Sequence, residues 1–361
     1  MNKIIRIGMD TSKNFFQLHG VDAEEKVVLR RTLRRGQMLA FFEKLAPTEI
    51  GMEACGASHH WARTLRAMGH TVKLMPPQLV KPYIRRNKND PRDAEGVCEA
   101  MSRPTMRFVP IKTQEQQADL ILIGLRDRLT ARRTEIANRI RGWASELGVT
   151  APCGLTHIKG LLAEIAASGA IPETARWAFE ECAEDYDYVC AALKKAEARL
   201  KAWRRGNELA RRLEQIPTVG PIGSALLTMK IPDPKLFSRG RDLAAWAGLT
   251  PKDHSTANRR RIGAITRAGD EQLRAVLVAG ATSLLQVAKR RIEQGLPVGA
   301  WLAALLARKA FKEAAVALAN KVIRIAWKLM VSGERFEPAR AVAMMATPPR
   351  PAKRAAAAAA A

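Results

Sequence analysis

Residues 4–13 read Ile4-Ile5-Arg6-Ile7-Gly8-Met9-Asp10-Thr11-Ser12-Lys13. Apolar side chains at alternating positions make a half-buried strand, and the polar Asp10-Thr11-Ser12-Lys13 leaves a carboxylate at its end. A half-buried aspartate costs several kcal/mol unless a cation accompanies it. The chain must therefore supply basic side chains, or further carboxylates that share a metal ion.

Downstream, Phe15–Val21 and Val27–Arg31 are apolar runs separated by Asp-Ala-Glu-Glu, the pattern of a hairpin. Gly36–Leu45 carries Met38, Phe41, Phe42 and Leu45 at helical spacing. Thr48–Glu53 is a short strand that again ends on an acid, Ser58–Met68 a helix and Thr71–Met75 a strand. After a Pro-rich basic stretch a further helix opens at Asp90. The order β-β-β-α-β-α-β-α predicts an α/β domain with an RNase H-like sheet.

In such a sheet the first and fourth strands are parallel neighbours, so Asp10 and Glu53 end side by side. Asp90-Pro91-Arg92-Asp93 has the form of a helix start, and acids three apart share a helix face. Alone, Asp10 would read as a turn residue and Asp90 as a cap; the strand order is what makes four acids converge. Four anions so close repel one another unless divalent cations lie among them, and hard oxygen ligands select Mg²⁺ or Mn²⁺. Two such ions about 3.5–4 Å apart serve in-line attack at a phosphodiester. Lys81, Arg85, Arg86, Lys88 and Arg92 crowd the approach, as suits either a phosphate backbone or a solvated loop.

The formal charge is +25, from 60 Lys+Arg against 35 Asp+Glu, with pI about 10.5. That excess is foreign to enzymes of small acids and suits a polyanion, whose counterions are released on binding. At 361 residues and 47% apolar content the chain holds two or three domains. Cys55, Cys98, Cys153, Cys182 and Cys190 form neither a CxxC pair nor a zinc spacing with His, and read as reduced, buried thiols of a cytoplasmic, nucleoid-associated protein. No signal peptide is expected, nor a membrane partner: the longest apolar run, 275–288, is short of the roughly 18 residues a bilayer requires.

From Gln114 to Leu147 there is no proline, and Leu120, Ile123, Leu125, Leu129, Ile136, Ile140 and Trp143 recur at three- and four-residue steps between arginines. A second helical block, Glu173–Glu214, follows a Gly- and Pro-containing break at 152–172. The two should pair as a coiled-coil-like arm. Val219-Gly220-Pro221-Ile222-Gly223 resembles a helix-hairpin-helix turn, in which Gly220 and Gly223 would let backbone N–H groups approach phosphates. A plain helical turn would use the same glycines.

A helix stops at Gly248, and a polar loop follows with Ser255 and Thr256 ahead of Arg259, Arg260 and Arg261. A hydroxyl in so electropositive a loop can attack a phosphodiester if its proton is removed and the developing charge neutralised, although loop serines are ordinarily turn or cap residues. Arg267 and Arg274 add phosphate-directed cations. Val276–Met330 reads as Ala- and Leu-rich helix interrupted at Gly295-Leu296-Pro297, and the tail from Pro338 has no periodic apolar face and reads as disordered.

Gly8-Met9-Asp10-Thr11-Ser12-Lys13, Gly51-Met52-Glu53-Ala54-Cys55-Gly56 and Lys88-Asn89-Asp90-Pro91-Arg92-Asp93-Ala94 closely resemble the three acidic blocks of the IS110-type transposases, IS1111 subgroup. The segment from Gly248-Leu249-Thr250-Pro251 to Ser255, and the block Ile265–Arg274, resemble that family's second domain. The resemblance implies a RuvC-like DEDD domain with Asp10, Glu53, Asp90 and Asp93 as its acids, and Ser255 as nucleophile. It implies a dimeric or tetrameric recombinase that cuts and rejoins DNA through a serine–DNA intermediate, guided by a structured non-coding RNA; composition merely allows that RNA. Where many members have glycines after the serine, Thr256-Ala257-Asn258 stand here, leaving Thr256 as a second hydroxyl. Actin-like kinases share the Asp-Thr-Ser strand end, but no glycine-rich adenosine segment follows.

The expected organisation is a RuvC-like domain over 1–112, a helical arm over 113–212, a mainly α transposase domain over 213–337 and a tail over 338–361. Two other functions compete with it: a junction endonuclease that uses the acids and water alone, and a nucleic-acid-binding protein with degenerate acids.

Overall fold

Strand β1 (Arg6–Thr11) is the middle of a five-stranded sheet in the computed structural model, which describes residues 3–84, 90–256, 259 and 261–337. Strands β2 (Phe15–Val21) and β3 (Val27–Arg34) continue from it antiparallel. Helix α1 (Met38–Glu43) leads to β4 (Glu49–Glu53), parallel to β1, and α2 (Ser58–Ala67) leads to β5 (Thr71–Met75), parallel to β4. The short α3 (Pro77–Val80) precedes α4 (Asp90–Met101). The sheet order is β3-β2-β1-β4-β5, and the element order is the one read from the sequence with α3 added.

Period-two alternation decides what each sheet face carries. Ile7, Met9, Ile50 and Met52 enter a core with Phe16, Phe42, Trp61 and Leu65. Gly8 and Gly51 face the other way, toward α4. A Cβ at Gly8 would lie 2.2 Å from the Ala94 carbonyl oxygen and 2.4 Å from the Cys98 nitrogen; one at Gly51 would lie 2.7 Å from Met101 Sδ. Helix α4 therefore rests directly on the backbone of β1.

These elements fall within the first of two units, Met1–Ala118; the second is Asp119–Ala361. Helices α5 (Gln114–Glu146), α6 (Ile158–Ala167) and α7 (Glu173–Gly206) share a core of Ile136, Ile140, Ile158, Leu161, Phe179 and Val189. The break expected at 152–172 thus contains a helix, and the second long block ends early, where the Asn207 side chain caps α8 (Glu208–Leu213) by accepting from Ala210 N at 2.9 Å. The arginines of α5 brace this bundle: Arg132 donates to Asp185 at 2.5 Å, Arg126 to Glu197 at 3.4 Å, and Arg141 to the Pro152 carbonyl at 3.3 Å.

Helices α9 (Pro221–Lys230), α10 (Gly240–Trp246), α11 (Glu271–Glu293), α12 (Ala300–Arg308) and α13 (Phe311–Ser332) enclose a further core around Leu226, Leu243, Leu277, Leu318 and Ile323. The loop expected after Gly248 is instead a hairpin of β6 (Pro251–Asp253) and β7 (Ile262–Ile265), strands too short and exposed for alternation to betray them. The cysteines are unpaired as expected, but only Cys98 is buried; Cys55 and Cys153 are exposed, because neither belongs to an apolar face. Among the described residues no helix is long and apolar enough to cross a membrane. The tail from Pro338 lies outside the described residues.

Gly8→Ala is expected to destabilise the protein by about 1–3 kcal/mol, the usual cost of overpacking. Gly56→Ala, with open space around its Cβ, should melt like the wild type. Thermal denaturation of both variants checks this, and an unchanged melting temperature for Gly8→Ala would rule out the close seating of α4.

Candidate functional site

The alternation that turns Gly8 toward α4 also turns Asp10 that way, two residues on. Helix α4 begins with Asp90 and carries Asp93 in its first turn. Oxygens of Asp10, Asp90 and Asp93 all lie within 4.8 Å of one another, with Asp93 buried, Asp10 half-buried and Asp90 exposed. Glu53 falls outside that cluster. It ends β4 one residue beyond the Met9–Met52 pair, so the parallel register aligns it with Asp10.

Of the basic residues expected here, Lys81 is exposed on a short 3₁₀ turn and Arg92 is half-buried on α4. Arg85, Arg86 and Lys88 lie outside the described residues. A cleft of about 450 Å³ opens against the start of α4 and joins Arg92 to Arg30 and Arg31 of β3, cations that strand alternation alone did not single out. His19, also in its wall, is held below its ordinary pKa by burial.

Ser255 sits beyond β6 in the hairpin. Its backbone N–H donates to Asp253 Oδ1 at 2.9 Å, and its Oγ accepts the backbone N–H of Arg261 at 3.0 Å. Thr256 and Arg259 exchange backbone hydrogen bonds of 3.2 and 3.0 Å that close the tip. Ser255, Thr256, Arg259 and Arg261 are exposed, and Arg260 lies outside the described residues. The hydroxyl is thus fixed in orientation yet open to a ligand.

The hairpin base is clamped by two glycines with positive φ. A Cβ at Gly248 (φ 70°) would meet the Ala268 carbonyl oxygen at 2.1 Å, and one at Gly269 (φ 78°) the Trp246 carbonyl oxygen at 1.8 Å. Arg274 completes the clamp by donating to the carbonyls of Ala247 and Ala268 at 3.2 Å each. Arg267 holds the left-handed conformation (φ 55°), uncommon for a side chain of its kind, in the turn between β7 and α11. Asp270 caps α11 through Leu273 N (2.8 Å) and pairs with Lys230 at 2.6 Å, tying α11 to α9.

At the start of α9 the two expected glycines differ. Gly220 is an exposed N-cap ahead of Pro221, whereas Gly223 is buried against Val219 and Val276. The turn packs on α11 so tightly that a Cβ at Gly280 would meet the Thr218 carbonyl at 2.2 Å.

Against known proteins, the model of the Transposase IS116/IS110/IS902 family matches residues 210–295, and the IS110 DEDD transposase model matches residues 7–147. The y4pF/y4sB transposase of Sinorhizobium fredii is 56% identical over 94% of this chain and 87% of its own length. The chain belongs to the IS110 family of transposases. A family 20 transposase of Pseudomonas aeruginosa is 40% identical over 92% of this chain and 98% of its own, and the transposase for insertion sequence element IS1111A of Coxiella burnetii is 37% identical over 93% and 92%. The protein is accordingly an enzyme that cuts and rejoins DNA, as the sequence resemblance implied.

Sequence reasoning on this transposase passed over the roles of Asp253, Gly269 and the Lys230–Asp270 pair, and read Gly248 only as a helix stop. An aspartate two residues before a serine is the form of an Asx turn, and a glycine at each end of a short hairpin signals a backbone approach. Also unforeseen is His59 on α2. Its Nδ1 accepts from Lys112 N at 3.3 Å, its Nε2 lies 3.1 Å from Lys112 Nζ, and Arg63 donates to the Lys112 carbonyl at 2.7 Å.

Burial first, then the charges of Lys112 and Arg63, push His59 down to about 4 from 6.5. The unfolded chain takes up a proton below about pH 6.5 that the folded one refuses until about pH 4, so this stability is full above that window and is lost as pH falls through it. Melting temperatures measured across that window should fall with pH in the wild type and fall less steeply in His59→Gln.

Proposed function

We propose that Asp10, Glu53, Asp90 and Asp93 form the metal-binding acids of a RuvC-like, RNase H-like domain, and that Ser255 is the nucleophile of the transposase, both sets acting on one DNA strand. The observation that carries this reading is the convergence of Asp10, Asp90 and Asp93 from a strand end and a helix start. Three carboxylates gathered within 4.8 Å repel one another strongly enough to need a countercharge. Ligands about 2.1 Å from one Mg²⁺ lie at most about 4.2 Å apart, so the donor set fits a small hard cation with little adjustment. Asp10, Asp90 and Asp93 would hold Mg²⁺ or Mn²⁺, with Glu53 on the adjacent strand end completing the set. When bound, such ions supply charge neutralisation at the scissile phosphate and at the leaving oxygen.

Ser255 contributes the attacking oxygen. Its Oγ forms a bond to phosphorus as the bond from phosphorus to the sugar oxygen breaks, the hydroxyl proton leaving and the sugar oxygen gaining one. The resulting serine phosphodiester keeps the bond energy, so a sugar hydroxyl of another strand can reverse the exchange and restore the serine. Arg259, Arg260 and Arg261 neutralise the phosphate beside it. The hydrogen bond from Arg261 N supports this role by orienting the oxygen before substrate arrives. Arg92 and Lys81, with Arg85, Arg86 and Lys88, hold the backbone near the acids, and Gly220 and Gly223 admit a phosphate to α9. Arg267 would serve a phosphate likewise; Arg274, engaged by two carbonyls, would do so from a fixed position.

The same reading keeps the domain limits at 112, 212 and 337 and assigns subunit contacts to the coiled-coil-like arm. Trp143, Trp177 and Tyr188 stand 45%, 60% and 66% exposed there, as suits a face awaiting a second copy in a dimer or tetramer. The charge of +25 suits a structured guide RNA beside the DNA.

With a DNA substrate and Mg²⁺, Ser255→Ala is expected to abolish covalent protein–DNA adducts while Thr256→Ala retains them; adducts trapped in denaturant and mapped by mass spectrometry check this. Cleavage undiminished in Ser255→Ala would make water the nucleophile. Millimolar Mg²⁺ or Mn²⁺ should raise the melting temperature of the wild type but not of Asp10→Asn, which in chelator should be at least as stable, being relieved of one repelling charge.

A further inference from the structure

A cleft of about 640 Å³ lies in the C-terminal unit, away from the serine hairpin in sequence and lined by none of its residues. Its long wall is α13, where Lys321, Arg324 and Lys328 recur at steps of three and four and so share one face. Arg239 and Arg241 come from the start of α10, and Arg335 from the chain after α13. Against these six cations stand two acids, Glu334 and Glu337. So strong an imbalance in a concave site favours an anion.

The cleft is also aromatic. Trp301, Trp327 and Phe336 line it, and both tryptophans are half-buried. Trp327 is locked: its indole N–H donates to the Pro234 carbonyl at 3.0 Å, and the backbone of Gly240 lies so near that a Cβ there would stand 3.2 Å from the ring. The Lys321 ammonium sits 4.0 Å over the Trp301 ring centroid. Burial, and then Arg324, lower the pKa of Lys321.

The combination narrows the ligand. An inorganic anion has no use for fixed indole rings, and an apolar ligand none for the cations. A duplex offers phosphates but keeps its base faces stacked inside. A single strand offers both, an anionic backbone and a free base face, and its proteins bind it with cationic grooves and aromatic platforms. The volume lies within the about 300–1,000 Å³ usual for small-ligand sites, enough for a base and its phosphate. The chain's own tail makes a poor occupant, since residues 338–361 carry four cations and no acid. We propose that this cleft binds an unpaired nucleotide, its base stacked in the aromatic wall and its phosphates met by the cationic face of α13. The proposal involves neither the carboxylates nor Ser255, and its test separates from theirs because it needs no cleavage.

The experiment is fluorescence anisotropy on the full-length transposase in chelator, with labelled single-stranded DNA, RNA of the same sequence, their duplexes, and an abasic DNA strand of equal length. In the combined Lys321→Gln, Arg324→Gln, Lys328→Gln variant, whose side chains are on a solvent-lined face, single-strand affinity should fall about tenfold, with a shallower salt dependence, and duplex affinity less than about twofold. Trp301→Leu should weaken intact single strands severalfold and leave the abasic strand unaffected. Whichever of DNA or RNA loses more identifies the source of the nucleotide. Equal losses for single strands and duplexes would reduce the cleft to general basic surface and overturn the proposal, as would unchanged single-strand binding. Should Trp301→Leu fail to fold, photocrosslinking the wild type to a thiouracil-bearing strand decides: adducts within peptides covering 301–328 or 334–337 support the site, and adducts only elsewhere overturn it.

Discussion

The seating of α4 on the bare backbone of β1 is the contact on which the acidic half of the enzyme depends. With any side chain at position 8 the helix would have to withdraw, because even a Cβ would stand 2.2 Å from the Ala94 carbonyl. Helix α4 brings Asp90 and Asp93 in its first turn, and β1 brings Asp10 two residues beyond the glycine, so the interaxial distance sets the distances between carboxylates. A glycine without chemistry of its own thereby governs the geometry of three acids. Arg30, Arg31 and Arg92 line one cleft against the start of the same helix.

The serine half is held by the same physical device in another place. Gly248 and Gly269 let the carbonyls of Ala268 and Trp246 approach where side chains would collide, and Arg274 donates to the carbonyls of Ala247 and Ala268 beside them. In both halves, the candidate groups are carried by an element whose position is fixed by backbone-to-backbone contact rather than by interdigitated side chains. Contacts of that kind leave little slack, which suits the roles proposed for these groups, where positions must hold to within fractions of an ångström.

Much of this was legible in the residues. Alternating apolar positions mark the strands, and their order predicts that Asp10, Glu53, Asp90 and Asp93 approach one edge; the structure gathers Asp10, Asp90 and Asp93 and leaves Glu53 outside that cluster. The acids were legible because each closes a periodic segment or opens one. The hairpin around Ser255 was not, since strands of three and four residues, almost wholly exposed, carry no alternation. Helix α6 was hidden by the glycines and prolines on either side of it, although Ile158, Leu161 and Ile165 fall at helical spacing within the break. The exposure of Cys55 and Cys153 was missed for a related reason: a thiol is buried by its neighbours, and these two lie in turns.

The arginines of the long helix show how net charge misleads when it is assigned residue by residue. Arg126, Arg132 and Arg141 contribute to the excess of +25, yet they are committed to acids and carbonyls within the bundle. Other clusters of cations lie on β3 beside α4, around the hairpin and along α13.

The clamp at the base of the hairpin has a consequence for how this sequence can vary. Positions 248 and 269 admit no side chain at all, while Thr256 at the tip is exposed. Substitution is therefore sterically confined to the outside of the hairpin: an exposed residue such as Thr256 can change where Gly248 and Gly269 cannot. The base of the hairpin is thus constrained by sterics while its exposed rim is not, so change around the Ser255 hydroxyl is easier at the rim than at the base.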